Sequence, residues 1–324
     1  MCELICLGEL IVDFCATVAD VSVGEAPGFT KGPGGAPANV AVAAQRLGAQ
    51  TGFIGAVGDD PFGAFLADVL ASEGVDTVGL KKVPGTKTPL AFVAARSDGS
   101  GDFFFYHDGG LAPLREEFID ESYISAATAL HFGSISRIEP AARAATDKAR
   151  AAASGAGLLV SYDPNYRPRL WRDSDQARSR ICEGFVGSDV VKISAEEWGF
   201  LLGTDDFGAG AGQLFDAGVV LAIRSEGGDG ASFATTRARG HVTAPSVESV
   251  EFTGAGDAFV GLLLADLVAA KREGARLDEL DESTLRRIVG RANAAGALTT
   301  TRPGAIPALP RRDELGAFLQ SHGG

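Results

Sequence analysis

Short apolar runs alternate with helix-like stretches along nearly the whole chain, and this rhythm constrains the fold more than any other feature. Leu4 to Leu7, Thr51 to Val57, Leu130 to Ser134, Leu158 to Asp163, Val190 to Ile193 and Val219 to Arg224 each read as a short buried strand. Between them, Ala38 to Leu47 reads as a helix stopped by Gly48, Phe62 to Glu73 as one closed by Gly74, and Pro140 to Ala153 as another. Strands that are apolar throughout and separated by helices predict a mostly parallel sheet covered on both faces, an α/β class fold. Two segments break the rhythm. Phe14 to Lys31 lacks helical periodicity, and Thr88 to Arg96 and Asp102 to Tyr106 flank Ser97-Asp98-Gly99-Ser100-Gly101, which reads as a hairpin turn. These predict a small β-sheet lid formed by about 14–32 and 88–106. No linker, charge block or internal repeat divides the 324 residues, so the expectation is one domain, 1–324, with a lid.

The net charge is −13, from 29 basic and 42 acidic residues. This excludes nucleic acid and anionic membrane as expected partners, since both require positive surface. It leaves small anionic ligands open, because these need only a local pocket. Cys2, Cys6, Cys15 and Cys182 form no Cys-x-x-Cys pair, which predicts reduced thiols rather than zinc or a disulfide framework. Glu3, Glu9 and Asp13 interrupt the N-terminal apolar segment, and no run of about 18 apolar residues occurs. A cytoplasmic protein without a membrane span is expected.

Chemistry concentrates in Thr253-Gly254-Ala255-Gly256-Asp257-Ala258-Phe259, which runs into the apolar stretch Val260 to Ala270. A helix opening on Gly-Ala-Gly presents bare amides and the positive end of the helix dipole, an anion site. Asp257 falls in its first turn. A carboxylate beside an anion cradle repels the anion, so its presence there suggests a chemical role. The natural one is to accept the proton of a hydroxyl that attacks a bound phosphate. The plainer reading is an Asp that merely suits the dipole. The helix N-terminus is expected to keep Asp257 ionised at neutral pH.

Other segments carry weaker signals. Gly32-Pro33-Gly34-Gly35-Ala36-Pro37-Ala38-Asn39 precedes a helix, lets a ligand touch backbone, and is equally a tight turn. Asp13 follows a strand and suits neighbouring sugar hydroxyls, or is a solvated strand-end carboxylate. Asp163-Pro164-Asn165-Tyr166-Arg167 ends a buried strand, where open parallel sheets bind ligands, although Asp-Pro and Asn also form turns. Arg167 offers a planar fork for phosphate. Ser194 to Glu197 is a capping box opening a helix that stops at Gly203, and Glu197 also suits water ordered around a phosphate-bound metal. Ser225-Glu226-Gly227-Gly228-Asp229-Gly230 reads as a phosphate-holding loop or as a β-turn. Neither a P-loop nor a dinucleotide fingerprint is present.

The chain resembles the ribokinase-like sugar kinases, the PfkB family, and within it the fructokinase branch. The likeness runs nearly end to end. It is carried by Gly8 to Phe14, Glu25 to Phe29, Gly34 to Ala41, Gly58 to Gly63, Gly133 to Ser136, Ser161 to Asn165, Thr253 to Phe259 and Arg291 to Ala294. The resemblance implies a three-layer αβα sandwich with a β-sheet lid. It implies ATP and Mg²⁺ use and phosphorylation of a primary hydroxyl of a sugar, with fructose the leading substrate. 2-Keto-3-deoxygluconate, ribose, a nucleoside and a catalytically silent regulatory partner stand as alternatives. By the same resemblance Asp257 is the base, and Gly254, Ala255 and Gly256 form the anion hole with Arg167. Asp13, Gly34, Gly35, Asn39, Arg96, Tyr106 and Asn165 contact the sugar. Asn165, Ser194, Glu197, Ser225, Gly227, Gly230 and Asn293 serve the nucleotide, with Glu197 reaching Mg²⁺ through water. A homodimer pairing through the lid is a further implication.

Three positions depart from the family pattern. Glu251 and Phe252 stand where the family usually writes Asp-Thr, at its monovalent-cation site, which predicts weak or absent K⁺ activation. His107 replaces the Arg that often follows the lid Tyr, which bears on sugar preference, and Ser225 replaces the usual Thr.

Overall fold

The structure, a computed structural model, describes residues 2–95, 101–107, 110 and 112–322. Its strands are β1 (Leu4–Leu7), β2 (Ile11–Ala16), β3 (Phe29–Gly34), β4 (Thr51–Gly58), β5 (Leu80–Val83), β6 (Leu90–Ala95), β7 (Gly101–Tyr106), β8 (Ala129–Gly133), β9 (Leu159–Asp163), β10 (Val190–Ser194), β11 (Leu221–Ser225), β12 (Ala231–Ala234) and β13 (Arg239–Val242). Its helices are α1 (Ala36–Leu47), α2 (Pro61–Ser72), α3 (Glu121–Ser125), α4 (Pro140–Gly155), α5 (Ser174–Cys182), α6 (Ala195–Leu202), α7 (Phe207–Asp216), α8 (Ala255–Arg272), α9 (Glu282–Thr300) and α10 (Arg312–Ser321).

Among the described residues, a nine-stranded sheet runs β13-β12-β11-β10-β9-β8-β1-β4-β5. It is parallel except at the edge, where β12 pairs antiparallel with β11 and with β13. Alternation along each strand feeds two cores. Leu4 and Cys6 pack on one face with residues of α1, α8 and α9, while Ile5 and Leu7 pack on the other with residues of α4 to α7. The expected three-layer sandwich is therefore the observed architecture.

The helix crossing that matters most for function is α1 against α8. Gly261 sits in the contact: a Cβ there would lie 2.5 Å from Ala43 Cβ and 3.0 Å from the Ala44 nitrogen. Small residues on both helices let the backbones approach closely. This brings the first turns of two helices, more than two hundred residues apart in sequence, to the same point.

β2, β3, β6 and β7 form a separate four-stranded sheet in the order β3-β2-β6-β7. It is mixed, since β2 pairs parallel with β6. The small sheet begins at Ile11, three residues before the expected lid boundary, so Asp13 lies within a strand rather than after one. The entry to β6 is pinned by Asp60, whose carboxylate accepts the Thr88 N–H and hydroxyl, each at 2.8 Å. Four of the five residues of the expected hairpin turn, 97–100, lie outside the described residues. One face of this sheet is aromatic: Phe14 stacks on Phe92 with centroids 5.1 Å apart, and Phe29 meets Phe92 edge-on.

Candidate active site

The strands of the large sheet end together at one edge, and the loops leaving β1, β9, β10 and β11 converge there with the small sheet and the N-terminus of α8. A cavity of about 260 Å³ lies between the two sheets. Asp13, Asn39, Arg167, Lys192 and Asp257 line it, along with Glu9 and Phe252. On the other side of α8's first turn is a groove of about 440 Å³ walled by Ser225, Gly227, Gly230, Gly256 and Asn293. A third cavity joins the two and is lined by Asn165, Arg167, Lys192, Ser194, Glu197, Ser225 and Gly256. The three spaces thus meet at Gly256.

The anion cradle forms as the small residues imply. Gly254 is the N-cap of α8 with φ +81°, a conformation that a side chain disfavours. The first helical bond runs from the Ala258 N–H to the Gly254 carbonyl, so the amides of Gly256 and Asp257 have no acceptor within the helix. The Ala255 amide is different. It donates to the Phe252 carbonyl at 3.2 Å, which corrects the expectation that it belongs to the free cradle.

Asp257 is buried, and its Oδ2 accepts a 2.8 Å hydrogen bond from Asn39 Nδ2. The other Asn39 atom, Oδ1, is buried without a partner among the described residues, and the side chain lines the sugar-sized cavity. Burial pushes the Asp257 carboxyl up to about 6. The Asn39 bond, Arg167 and Lys192 pull it down, while Asp163 pushes it up. Desolvation therefore outweighs the stabilising partners that were expected to keep the acid strong. The result is a better base than the sequence suggests, still mostly ionised at neutral pH.

Asp163, Asp13 and Glu9 face the same cavity. Asp13 is pushed up to about 7 by burial, with Asp257 adding to the effect and Arg167 opposing it. Gly34 lies behind Asp13 rather than in the cavity wall: a Cβ there would fall 2.0 Å from Asp13 Oδ2, so glycine is what makes room for the carboxylate. Glu9 is 2% exposed and pushed up to about 7, again by burial first. Its Oε1 accepts the Ala36 N–H at 3.0 Å, whereas Oε2 has no partner among the described residues. Gly35, between them, lines the cavity with backbone.

Small-sheet residues reach the cavity on alternate positions. Ala91 and Val93 of β6 and Phe103 and Phe105 of β7 line it. Tyr106 lies on the opposite face of β7, half exposed, and does not line this cavity. Strand periodicity is the reason: only one parity of residue can face the cavity. Arg96 lies outside the described residues.

The groove and the connecting cavity are assembled from loops and caps. Asn165, with φ +44°, turns the chain after β9 and donates its N–H to Asp163 Oδ1 at 3.1 Å. The exposed Arg167 follows it and lines both the cavity between the sheets and the connecting one. The capping box of α6 is present: Glu197 Oε2 accepts the Ser194 N–H at 2.9 Å, and Ser194 Oγ accepts the Glu197 N–H. Glu197 Oε1 accepts the Tyr166 N–H. Asn293 Nδ2 donates to the Val242 carbonyl at 2.7 Å, bracing the groove wall. Among the described residues no cluster of three or more His, Cys, Asp or Glu could hold a metal ion.

Lys192, Asp163 and Glu9 received no role from sequence, yet all three line the cavity between the two sheets. A lysine inside an otherwise buried strand, Val190–Ser194, was the available signal, since lysine is rarely buried without a reason.

A model described as pfkB family carbohydrate kinase matches residues 1–312. Probable fructokinase-4 of Arabidopsis thaliana is 42% identical over 321 residues, which covers 98% of this chain and 97% of that one. The crystal structure of fructokinase with bound ATP from Xylella fastidiosa is similar with a TM-score of 0.88 and 33% identity, covering 99% of each chain. That of fructokinase from Vibrio cholerae O395 in fructose, ADP and calcium ion bound form gives 0.86 and 34%, covering 98% of this chain and 99% of that one. With the αβα sandwich, the glycine cradle and the buried aspartate in place, the chain belongs to the pfkB family of carbohydrate kinases.

Proposed function

We propose that this protein is an ATP-dependent fructokinase that phosphorylates a primary hydroxyl of fructose. The observation that carries the reading is the junction at α8: a buried base, Asp257, and a bare-amide cradle one residue away, with a sugar-sized cavity on one side and a groove on the other. The Xylella fastidiosa and Vibrio cholerae neighbours, whose structures hold ATP, or fructose with ADP, support it.

The residues fit an ATP molecule with a divalent cation. The groove between Gly227, Gly230 and Asn293 would hold the nucleoside end, and Ser194, Ser225, Asn165 and Arg167 the phosphates. ATP supplies the phosphoryl group, and a divalent cation, Mg²⁺ in our reading, offsets its charge. With no cage of carboxylates among the described residues, that cation would depend on phosphate and water ligands, with Glu197 ordering the water, as a small hard cation prefers. Asn39 and Asp13 orient the sugar. Asp257 accepts the proton of the attacking hydroxyl as its oxygen bonds to the γ-phosphorus and the bond to the β-phosphate bridging oxygen breaks. The free amides at the start of α8, Gly256 and Asp257, stabilise charge on the transferring group. The small sheet acts as a lid whose apolar Phe103 and Phe105 exclude water, a competing nucleophile.

A sugar acid fits less well. Its carboxylate would enter a cavity already faced by Glu9, Asp13 and Asp257, and like charges at close range repel strongly. Four free cysteines suit a reducing cytoplasm. The exposed Phe104 and Tyr106 on the lid's outer face suit pairing with a second copy.

The test is ADP release from ATP with fructose, ribose, a nucleoside and 2-keto-3-deoxygluconate, alongside Asp257→Asn. Fructose should give the highest kcat/KM, and the variant should lose about 10²–10⁴-fold in kcat. No turnover of fructose, or a kcat/KM for another sugar higher by about tenfold (roughly 1.4 kcal/mol of barrier), refutes the reading.

A further inference from the structure

Lys192 stands on a central strand, with Val190, Val191 and Ile193 around it all fully buried. Its ammonium emerges at the carboxyl end of β10 and meets the first turn of α8. A Cβ placed on Gly256 would lie 3.5 Å from Nζ. The side chain lines the sugar cavity and the connecting phosphate cavity at once. Asp257, the base, is on one side of it and Ser194 and Glu197 are on the other.

Among the described residues this ammonium makes one hydrogen bond, to Asp163 Oδ2 at 3.1 Å, and both partners are buried. An ammonium carries three donors. A charge taken out of water is costly unless it finds partners for its protons, and a single carboxylate leaves two of them unused. Burial alone would drive the proton off. The carboxylates of Asp163 and Glu197 outweigh it and hold the lysine's pKa above its ordinary value, so it stays charged. A charged donor with spare protons, facing a polar cavity beside bare helix amides, matches a phosphate oxygen.

We propose that Lys192 is a catalytic residue that contacts the transferring phosphoryl group from the buried side, and that Asp163 positions it. The proposal rests on the kinase reading above. As the sugar oxygen bonds to the γ-phosphorus, the bridging oxygen departs with ADP and the hydroxyl proton passes to Asp257. Lys192 gains and loses no proton in this step. It offsets the phosphoryl charge that would otherwise repel the ionised base and the incoming oxygen. Arg167 opposes it from the exposed side, so the group moves between a buried cation and an exposed one.

The test compares Lys192→Met with the double variant Lys192→Met/Asp163→Asn. The single variant leaves a buried carboxylate unpaired and risks misfolding, whereas the double removes both charges and keeps the volume. Both should lose roughly 10²–10³-fold in kcat, the usual cost of removing one donor to a developing charge, with a smaller change in KM for fructose. Calorimetry supplies a second readout, using ADP and the non-hydrolysable β,γ-imido analogue of ATP. The analogue should lose affinity in the double variant while ADP does not. A double variant with kcat within about threefold of the parent makes the pair structural and overturns the proposal. So does an equal loss of affinity for both nucleotides. If the unaltered protein transfers no phosphate to fructose, the kinase reading fails instead, and the calorimetric comparison still reports on Lys192.

Discussion

Replacing Asn39 with alanine isolates the bond that tunes the base. Asn39 and Asp257 are both buried, and the 2.8 Å bond between them favours the ionised carboxylate. A buried hydrogen bond to a charged group is worth about 1.5–3 kcal/mol, and one pKa unit is about 1.36 kcal/mol. Removing it should raise the Asp257 pKa from about 6 by roughly one to two units. At pH 6 the ionised fraction would fall from about half to about a tenth or less. The acid limb of kcat/KM against pH reports groups of the free enzyme, so the assay is a rate profile between about pH 5 and 9. Glu9 and Asp13 face the same cavity, so the limb belongs to the coupled set, and its displacement between parent and variant is the quantity that counts. Asn39 also lines the sugar cavity, so the plateau should drop as well. A plateau that drops while the acid limb stays in place would show that Asn39 only holds the sugar, and the tuning argument would fail.

Three other outcomes follow from the same geometry. Glu9, Asp13 and Asp257 hold protons more tightly folded than unfolded, so the stability they contribute is present below about pH 4 and lost as pH rises toward about 7; the ligand-free Tm should decline across that window, Asp13→Asn should flatten the decline by a few degrees, and parallel Tm curves would contradict this. Gly261→Val should destabilise the protein by about 1–3 kcal/mol through overpacking against Ala43 and Ala44 and shift the acid limb upward by prising Asn39 from Asp257, which denaturation midpoints and rate profiles would check. Potassium should activate weakly or not at all, because Glu251 Oε2 already accepts the Gly304 N–H at 2.8 Å and the Phe252 carbonyl accepts the Ala255 N–H; a stimulation of about tenfold over tetramethylammonium at equal ionic strength, worth roughly 1.4 kcal/mol, would refute it.

The large sheet and its helices were legible because local rules govern them. Apolar runs bounded by glycine fixed β1, β4 and β8 to β11 to within a residue or two, and the Ser194–Glu197 capping box was readable as such. The small sheet was harder. Its strands carry residues such as Asp13 and Lys31 that break the alternation, and its start at Ile11 follows β1 with no clear turn signal. Residue type alone pointed to Tyr106, whereas strand parity places Phe103 and Phe105 on the cavity and Tyr106 on the other face.

What sequence could not show is how distant acids reset one another. Asp257 in isolation reads as a helix-start carboxylate, which the dipole should make more acidic. Its proton affinity is instead raised first by burial and then adjusted by partners from elsewhere in the chain: Asn39 on α1, Arg167 after β9 and Lys192 on β10 lower it, and Asp163 on β9 raises it. None of these lies within fifty residues of it in the chain. Packing of α1 on α8 through small residues, and the common edge at which β9 and β10 end, bring them together. A base near neutrality is therefore a property of the helix crossing and the strand order, and a change that loosens either should be felt first in the pH dependence of the rate, before the fold gives way.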